Sequence, residues 1–182
     1  RIIKNSQGIV VLDESAEDFL RKNYNYQKTC KVIPTSTNLS NYTFDRTIKN
    51  TEKEIKFVFL GGGRYPYLPI QAINFFIKFS NLGFSCSLDF INEKENLKIK
   101  ELIEKSGLSK KTCRVKYVDP ALIPKELSKY DCGLVFIAQG KWLSMCSPTK
   151  IGEYLAAGLH IVGLQGVHVL DRLAKNYYCA DL

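Results

Sequence analysis

Lys150 and Glu153 stand three residues apart within Ser147-Pro-Thr-Lys-Ile-Gly-Glu-Tyr-Leu-Ala-Ala-Gly158. At that spacing an ammonium and a carboxylate occupy adjacent parts of one helix surface. Pro148 suits a first helical turn, because it has no N–H to leave unpaired there. Ser147 before it is a good N-cap. The free N–H groups and the positive dipole end of such a helix form a site for an anion. Lys150 in the first turn is unfavourable there unless an anion lies nearby. An ammonium and helix N–H groups suit phosphate, and a carboxylate one turn further in suits sugar hydroxyls. Together they suit a nucleotide diphosphate. The same spacing also describes a capped helix with a solvated Lys–Glu pair, which is common.

A second group of residues follows an apolar strand. Gly61-Gly62-Gly63-Arg64 comes directly after Ile55–Leu60, and glycines there let the backbone turn sharply and approach a ligand. Arg64 is within reach of a phosphate from this loop. A glycine loop of this kind also serves plain turning in any α/β protein.

The elements that must position these groups follow from hydrophobic periodicity. Gly8–Leu12 reads as a buried strand, Asp13 and Ser15 cap a helix over 16–22, and Lys31–Ile33 is a second strand stopped by Pro34. Residues 35–51 are polar and aperiodic and read as a linker. Strands follow at 54–60, 85–90, 114–118, 131–137 and 159–162. Between them lie helices at 69–82 (Ile70, Ile73, Phe76 and Ile77 inward), 93–106 (Leu97, Ile99, Leu102 and Ile103 inward), 124–127 and from Pro148. A further helix covers 167–175. Residues 138–146 form a loop carrying Trp142, expected to serve packing. This alternation predicts an α/β fold, a Rossmann-like parallel sheet of five to six strands with helices on both faces. Ligands bind at the carboxyl ends of such strands.

The 182 residues suffice for one domain with a sizeable core. No apolar run reaches the roughly 18 residues of a membrane span. The chain starts at Arg1 and its one methionine is Met145, which is expected of a fragment or a processed product. Six scattered cysteines form no CxxC pair, so neither a zinc site nor a disulfide framework has support, and reduced cytosolic thiols are expected. The net charge of +8 is concentrated between Lys94 and Lys116, which hold eight Lys or Arg. Such a face attracts anionic lipid or RNA, although only Tyr117 is near for base stacking.

The 147–158 motif with its following apolar strand resembles the donor-nucleotide motif of the family 4 (group 1) glycosyltransferases of the GT-B fold. Weaker agreement extends over most of the chain. The resemblance implies one half of a GT-B fold, the C-terminal nucleotide-sugar-binding domain at 54–182, cut short at its C-terminus. It also implies a linker at 36–53, and a remnant of the N-terminal domain or an annex at 1–35. It implies that Val118, Asp119 and Ile123 line the base pocket and that Gly166, in Gly163-Leu-Gln-Gly166, lies beside the donor phosphates. The family's loop Arg lies about two positions from Arg64, and its loop Lys is Leu68 here. A sugar-contacting Glu is replaced by Met145.

The implied activity is retaining transfer of a sugar from a UDP- or GDP-type donor, without bound metal or cofactor, to a glycan or lipid-linked acceptor. Cell-surface polysaccharide synthesis is the implied setting, in the cytoplasm and peripheral to the inner membrane face, with no nucleic-acid partner. Two other classes stay open on the residues. One is a dinucleotide-binding oxidoreductase domain using Gly61-x-Gly63 and Asp89, although Pro66 occupies the third glycine position. The other is a non-catalytic basic α/β module.

Overall fold

The computed structural model describes residues 2–42, 54–62, 64–92 and 97–182. Gly63, most of the expected linker and the first turn expected at 93–96 lie outside these residues, as does Lys94. A small unit opens the chain. It comprises α1 (Ile2–Asn5), β1 (Gly8–Val11), α2 (Glu14–Tyr24) and β2 (Thr29–Val32), with β1 and β2 in parallel. Asp13 caps α2 by accepting from the Ser15 N–H at 2.9 Å. β1 is not the buried strand that its composition suggests: Val11 is buried, while Val10 and Leu12 are exposed. Two strands do not offer enough surface to shield both faces.

The main sheet is formed by β3 (Ile55–Leu60), β4 (Cys86–Asn92), β5 (Cys113–Tyr117), β6 (Cys132–Val135), β7 (His160–Gly163) and β8 (Ala180–Asp181). All its pairs are parallel, in the order β5-β4-β3-β6-β7-β8. The order reverses between β3 and β6, where the connections leave to opposite sides and open a crevice.

Alternate side chains of each strand feed two cores. Phe57, Phe59, Leu88, Phe90 and Leu134 meet α3 (Pro69–Ser80) and α4 (Leu97–Lys105) on one face. Val58, Ile91, Val135 and Ile161 meet α5 (Ile123–Leu127), α6 (Thr149–Ala156) and α7 (His168–Asn176) on the other. The α/β class with helices on both faces is as expected. Two inward assignments are not: Ile70 and Leu97 are exposed, because Ala72 and Ile99 take the inner rows of α3 and α4. No helix among the described residues is long and apolar enough to cross a membrane.

Asp89 lies buried within β4 and carries an ion network. It accepts from Arg114 Nε at 2.6 Å and Tyr130 Oη at 2.7 Å, and pairs with Lys116 Nζ at 2.5 Å. Burial alone raises a carboxyl pKa, but the hydrogen bonds from Arg114, Lys116 and Tyr130 outweigh it and hold Asp89 below its ordinary value. A depressed carboxylate stabilises the fold above its unfolded pKa, and that contribution is lost as pH falls through the folded value. Asp89→Asn is therefore expected to cost about 2–4 kcal/mol at pH 7, allowing for the part-exposed cations. In urea unfolding followed by circular dichroism, the gap to wild type should close below about pH 4.

Candidate functional site

A cleft of about 1270 Å³ opens at the carboxyl ends of β3, β4 and β5, beside the start of α6. Its floor is made by Leu60, Gly61 and Gly62 after β3, and by Ile91 and Asn92 at the end of β4. Beyond the glycine turn the chain returns along β6. Leu68 N–H donates to Phe136 C=O at 3.0 Å, and Ala138 N–H donates to Pro66 C=O at 2.8 Å. This strapping carries the Tyr67 ring to a place next to α6.

Lys150 enters that place from the first turn of α6. Its Nζ lies 3.1 Å from the Tyr67 ring centroid, and a side chain at Gly61 would overlap it. Gly61 has φ of 126°, so it is required both for the turn and for the space. Lys150 is 8% exposed, and its Nζ has no hydrogen-bond partner among the described residues. Burial lowers its pKa from the ordinary lysine value to about 7, with Glu153 pulling the other way. The positive helix end adds to the cost of the charge. Burial likewise raises Glu153, which Lys150 partly offsets. An oppositely perturbed pair within a cleft is a signature of a functional site.

The helix start differs in detail from expectation. α6 begins at Thr149, and Pro148 is its N-cap, with no side-chain cap bond. Pro148 has ψ of 126°, which places it outside the helix. Ser147 is not the cap: its Oγ lies 2.8 Å from Thr35 Oγ1 and accepts from the Thr35 N–H at 3.3 Å. In the first turn of α6 the Ile151 N–H donates to the Pro148 C=O at 3.1 Å, which leaves the N–H groups of Thr149 and Lys150 as the ones a helix start does not pair within itself.

Of the residues singled out in the sequence, Gly61, Gly62, Arg64, Val118, Ile123, Thr149, Lys150 and Glu153 line one cleft. Ser147 and Pro148 stand behind it. Asp119 does not line it, because its carboxylate accepts from the Ala121 N–H at 2.9 Å and caps a short 3₁₀ turn at Pro120–Leu122. Gly166 lies elsewhere: its N–H donates to Asp171 Oδ1 at 3.1 Å, in a separate depression near the end of the chain. The Gly166 N–H is thus taken up by the Asp171 carboxylate. Gly63 falls outside the described residues.

Sequence reasoning missed one whole wall. The polar stretch read as linker includes Ser36, Thr37, Asn38, Asn41 and Tyr42, all of which line the cleft. Thr37 packs where Gly152 has no side chain, and Asn38 caps a 3₁₀ turn at Leu39–Asn41. Burial raises Tyr42 to about 12, with Glu153 adding to the rise. Gly152, in the middle of an otherwise regular helix, was the available signal for a close neighbour. Asn92 was also missed.

Other residues have structural roles. Trp142 stacks edge-on against Phe19 at 4.9 Å, which is the expected packing. His160 Nε2 meets Asp181 at 2.8 Å, and His168 Nδ1 meets Ser15 Oγ at 2.5 Å. Asp89 is engaged by Arg114, Lys116 and Tyr130, so it is not free to bind a dinucleotide ribose. Within the basic stretch, Arg114 and Lys116 serve Asp89, and Lys110 pairs with Glu104 at 3.0 Å.

By sequence the chain matches no protein-family profile and no curated protein. Its fold resembles that of solved GT-B glycosyltransferases. The GtfA/B complex aligns with a TM-score of 0.64 and 17% identity, over 98% of this chain and 35% of that one. The E. coli trehalose-6-phosphate protein bound with UDP-2-fluoro glucose aligns with 0.64 and 13%, over 93% and 48%. A TarM variant from S. aureus in complex with fondaparinux, alpha-GlcNAc-glycerol and UDP aligns with 0.64 and 16%, over 98% and 34%. The chain spans less than half the length of each, and has the α/β fold of one half of a GT-B protein.

Because Lys150 is protonated in the unfolded chain but titrates near 7 when folded, the unfolded state binds more protons between about pH 7 and 10. The contribution of this residue to stability therefore rises with pH across that window. Lys150→Met is expected to raise Tm at pH 7 by several degrees, with the gain shrinking towards pH 10. Thermal unfolding across pH checks this, and a gain independent of pH would place the amine in water.

Proposed function

We propose that the chain is the donor-binding domain of a glycosyltransferase. It accepts a UDP- or GDP-type sugar and takes part in transfer to a hydroxyl of a glycan or lipid-linked acceptor. The observation that carries the reading is the buried Lys150 ammonium, which has no hydrogen-bond partner among the described residues, held with Glu153 at the start of α6 against the Gly61–Gly62 turn, inside the cleft at the sheet's switch point. A buried cation without an anion is costly, and a diphosphate removes the cost. The fold likeness supports the same reading, since the E. coli and S. aureus structures hold UDP-containing ligands.

In this reading the bond between the sugar's anomeric carbon and the diphosphate oxygen breaks and its electron pair leaves with the diphosphate, while the acceptor hydroxyl oxygen bonds to the same carbon and gives its proton to the departing diphosphate. Lys150 and the N–H groups of Thr149 and Lys150 meet the charge as it develops, which is where electrostatic help accelerates reaction most. Glu153 accepts from the ribose hydroxyls, with Tyr42 beside it. The reading calls on no bound metal or cofactor. Retention at the anomeric carbon, a role in cell-surface polysaccharide synthesis, and a cytoplasmic place against the inner membrane face belong to the same proposal. Residues 1–35 are proposed as a remnant of an N-terminal domain or an annex, 36–53 as a linker whose residues 36–42 also wall the cleft, and 54–182 as the donor domain. The chain alone is proposed to bind nucleotide weakly and to transfer no sugar.

Isothermal titration with UDP, GDP and ADP tests the reading. One of the three is expected to bind, with Lys150→Ala weakening it by about a hundredfold and Glu153→Ala by about tenfold. Unchanged affinity in both variants, or sugar transfer by the isolated chain, would contradict it.

A further inference from the structure

Asn92 ends β4 and lines the cleft, with 5% of its surface exposed. Among the described residues neither its Nδ2 nor its Oδ1 meets a hydrogen-bond partner. A carboxamide offers two N–H donors and a carbonyl acceptor, and natural folds rarely leave both ends unpaired in a buried place.

Its place in the sheet narrows what would complete it. Asn92 pairs in register with Tyr117, the residue before Val118, while Ile91 beside it pairs with Leu60, the residue before the glycine turn. Asn92 therefore stands between the two loops. Away from the start of α6 the cleft is lined by Leu97, Val118, Pro120, Ile123 and Pro124, with the exposed Lys98 beside Leu97. The cleft thus has a cationic end at the start of α6 and a largely apolar end that holds one buried carboxamide, with a lysine at its exposed edge. A phosphate seeks the first. A flat heterocycle with a donor and an acceptor side by side suits the second, since small-molecule pockets combine apolar walls with a few placed polar groups.

We infer that Asn92 reads the hydrogen-bonding edge of the nucleobase and so sets which nucleoside diphosphate the cleft accepts. The inference rests on the nucleotide reading above and assigns a specificity role to a residue outside the Lys150–Glu153 pair. A site built to hydrogen-bond one edge rejects ligands that leave its polar atoms unpaired.

The test is calorimetric titration of the full chain, as wild type, Asn92→Leu and Asn92→Ala, with UDP, GDP, ADP and inorganic pyrophosphate. Wild type is expected to prefer one nucleotide over the others and over pyrophosphate. Asn92→Leu should weaken the preferred nucleotide at least tenfold, bring the three nucleotides within a few-fold of one another, and leave pyrophosphate unchanged. Without ligand its Tm should rise, because the orphaned carboxamide is gone; a structural asparagine would move Tm the other way. Should the leucine variant fail to fold, the alanine variant carries the same comparison. Nucleotide preference that survives in the variants overturns the inference, as does a parallel loss of pyrophosphate, which would place Asn92 on the phosphates. Pyrophosphate binding to wild type with no gain from any base also overturns it, yet leaves the anion site standing. Failure of wild type to bind any of the four removes the nucleotide reading itself, and this inference with it.

Discussion

One tyrosine ring sets the spacing of the site. Tyr154 has no exposed surface, and its ring lies where Gly133 of β6 has no side chain. Its hydroxyl accepts the Leu60 N–H at 2.7 Å, at the last residue of β3. A single side chain thus joins α6, β6 and β3 at the point where the strand order reverses. Leu60 runs directly into the Gly61–Gly62 turn, while Glu153 and Lys150 precede Tyr154 by one residue and one turn. Moving the ring would shift the helix start against the glycine turn, and with it the distance from ammonium to backbone. Rigid support of this kind is what a binding constellation requires.

Two charge clusters, one on the sheet and one on α6, show opposite solutions to burial. Around Asp89 every charge has a partner, and hydrogen bonds outweigh the cost of leaving water. Around Lys150 the balance fails, and both Lys150 and Glu153 are pushed towards their neutral forms. The first arrangement stabilises the fold. The second makes the free protein less stable than it would be with an apolar residue, and leaves an electrostatic deficit that an anion can relieve. Asn92 repeats the pattern with a neutral group.

The opening unit and the polar stretch after it are fastened to the main domain by different forces. Asp13 meets Arg172 at 2.9 Å, Phe19 meets Trp142, and Thr35 Oγ1 donates to the Ser147 C=O at 2.5 Å. These are polar and aromatic contacts between surfaces, outside the two cores of the sheet. They bring Thr37 and Tyr42 against α6 and give the cleft a second wall.

The fold was largely legible in the chain. Apolar strands alternating with 3.6-period helices dictate a layered parallel sheet, because no other packing covers both faces of each strand. The pairing of Lys150 with Glu153 was legible too, since three-residue spacing on a helix is local geometry. What escaped depended on distant neighbours. Thr37 and Tyr42 lie on a stretch with no periodicity, so nothing within it announces that it packs on α6. Asp119 and Gly166 have motif-like surroundings, but Asp119 accepts from the Ala121 N–H and the Gly166 N–H donates to Asp171, so local bonds engage both. Asn92 reads as one more polar residue at a strand end until the register of β3 and β5 encloses it. Spacing along the chain determines which residues share an element. Burial and the presence or absence of a partner are decided only when elements meet, and those two quantities shift a pKa or leave an amide unpaired.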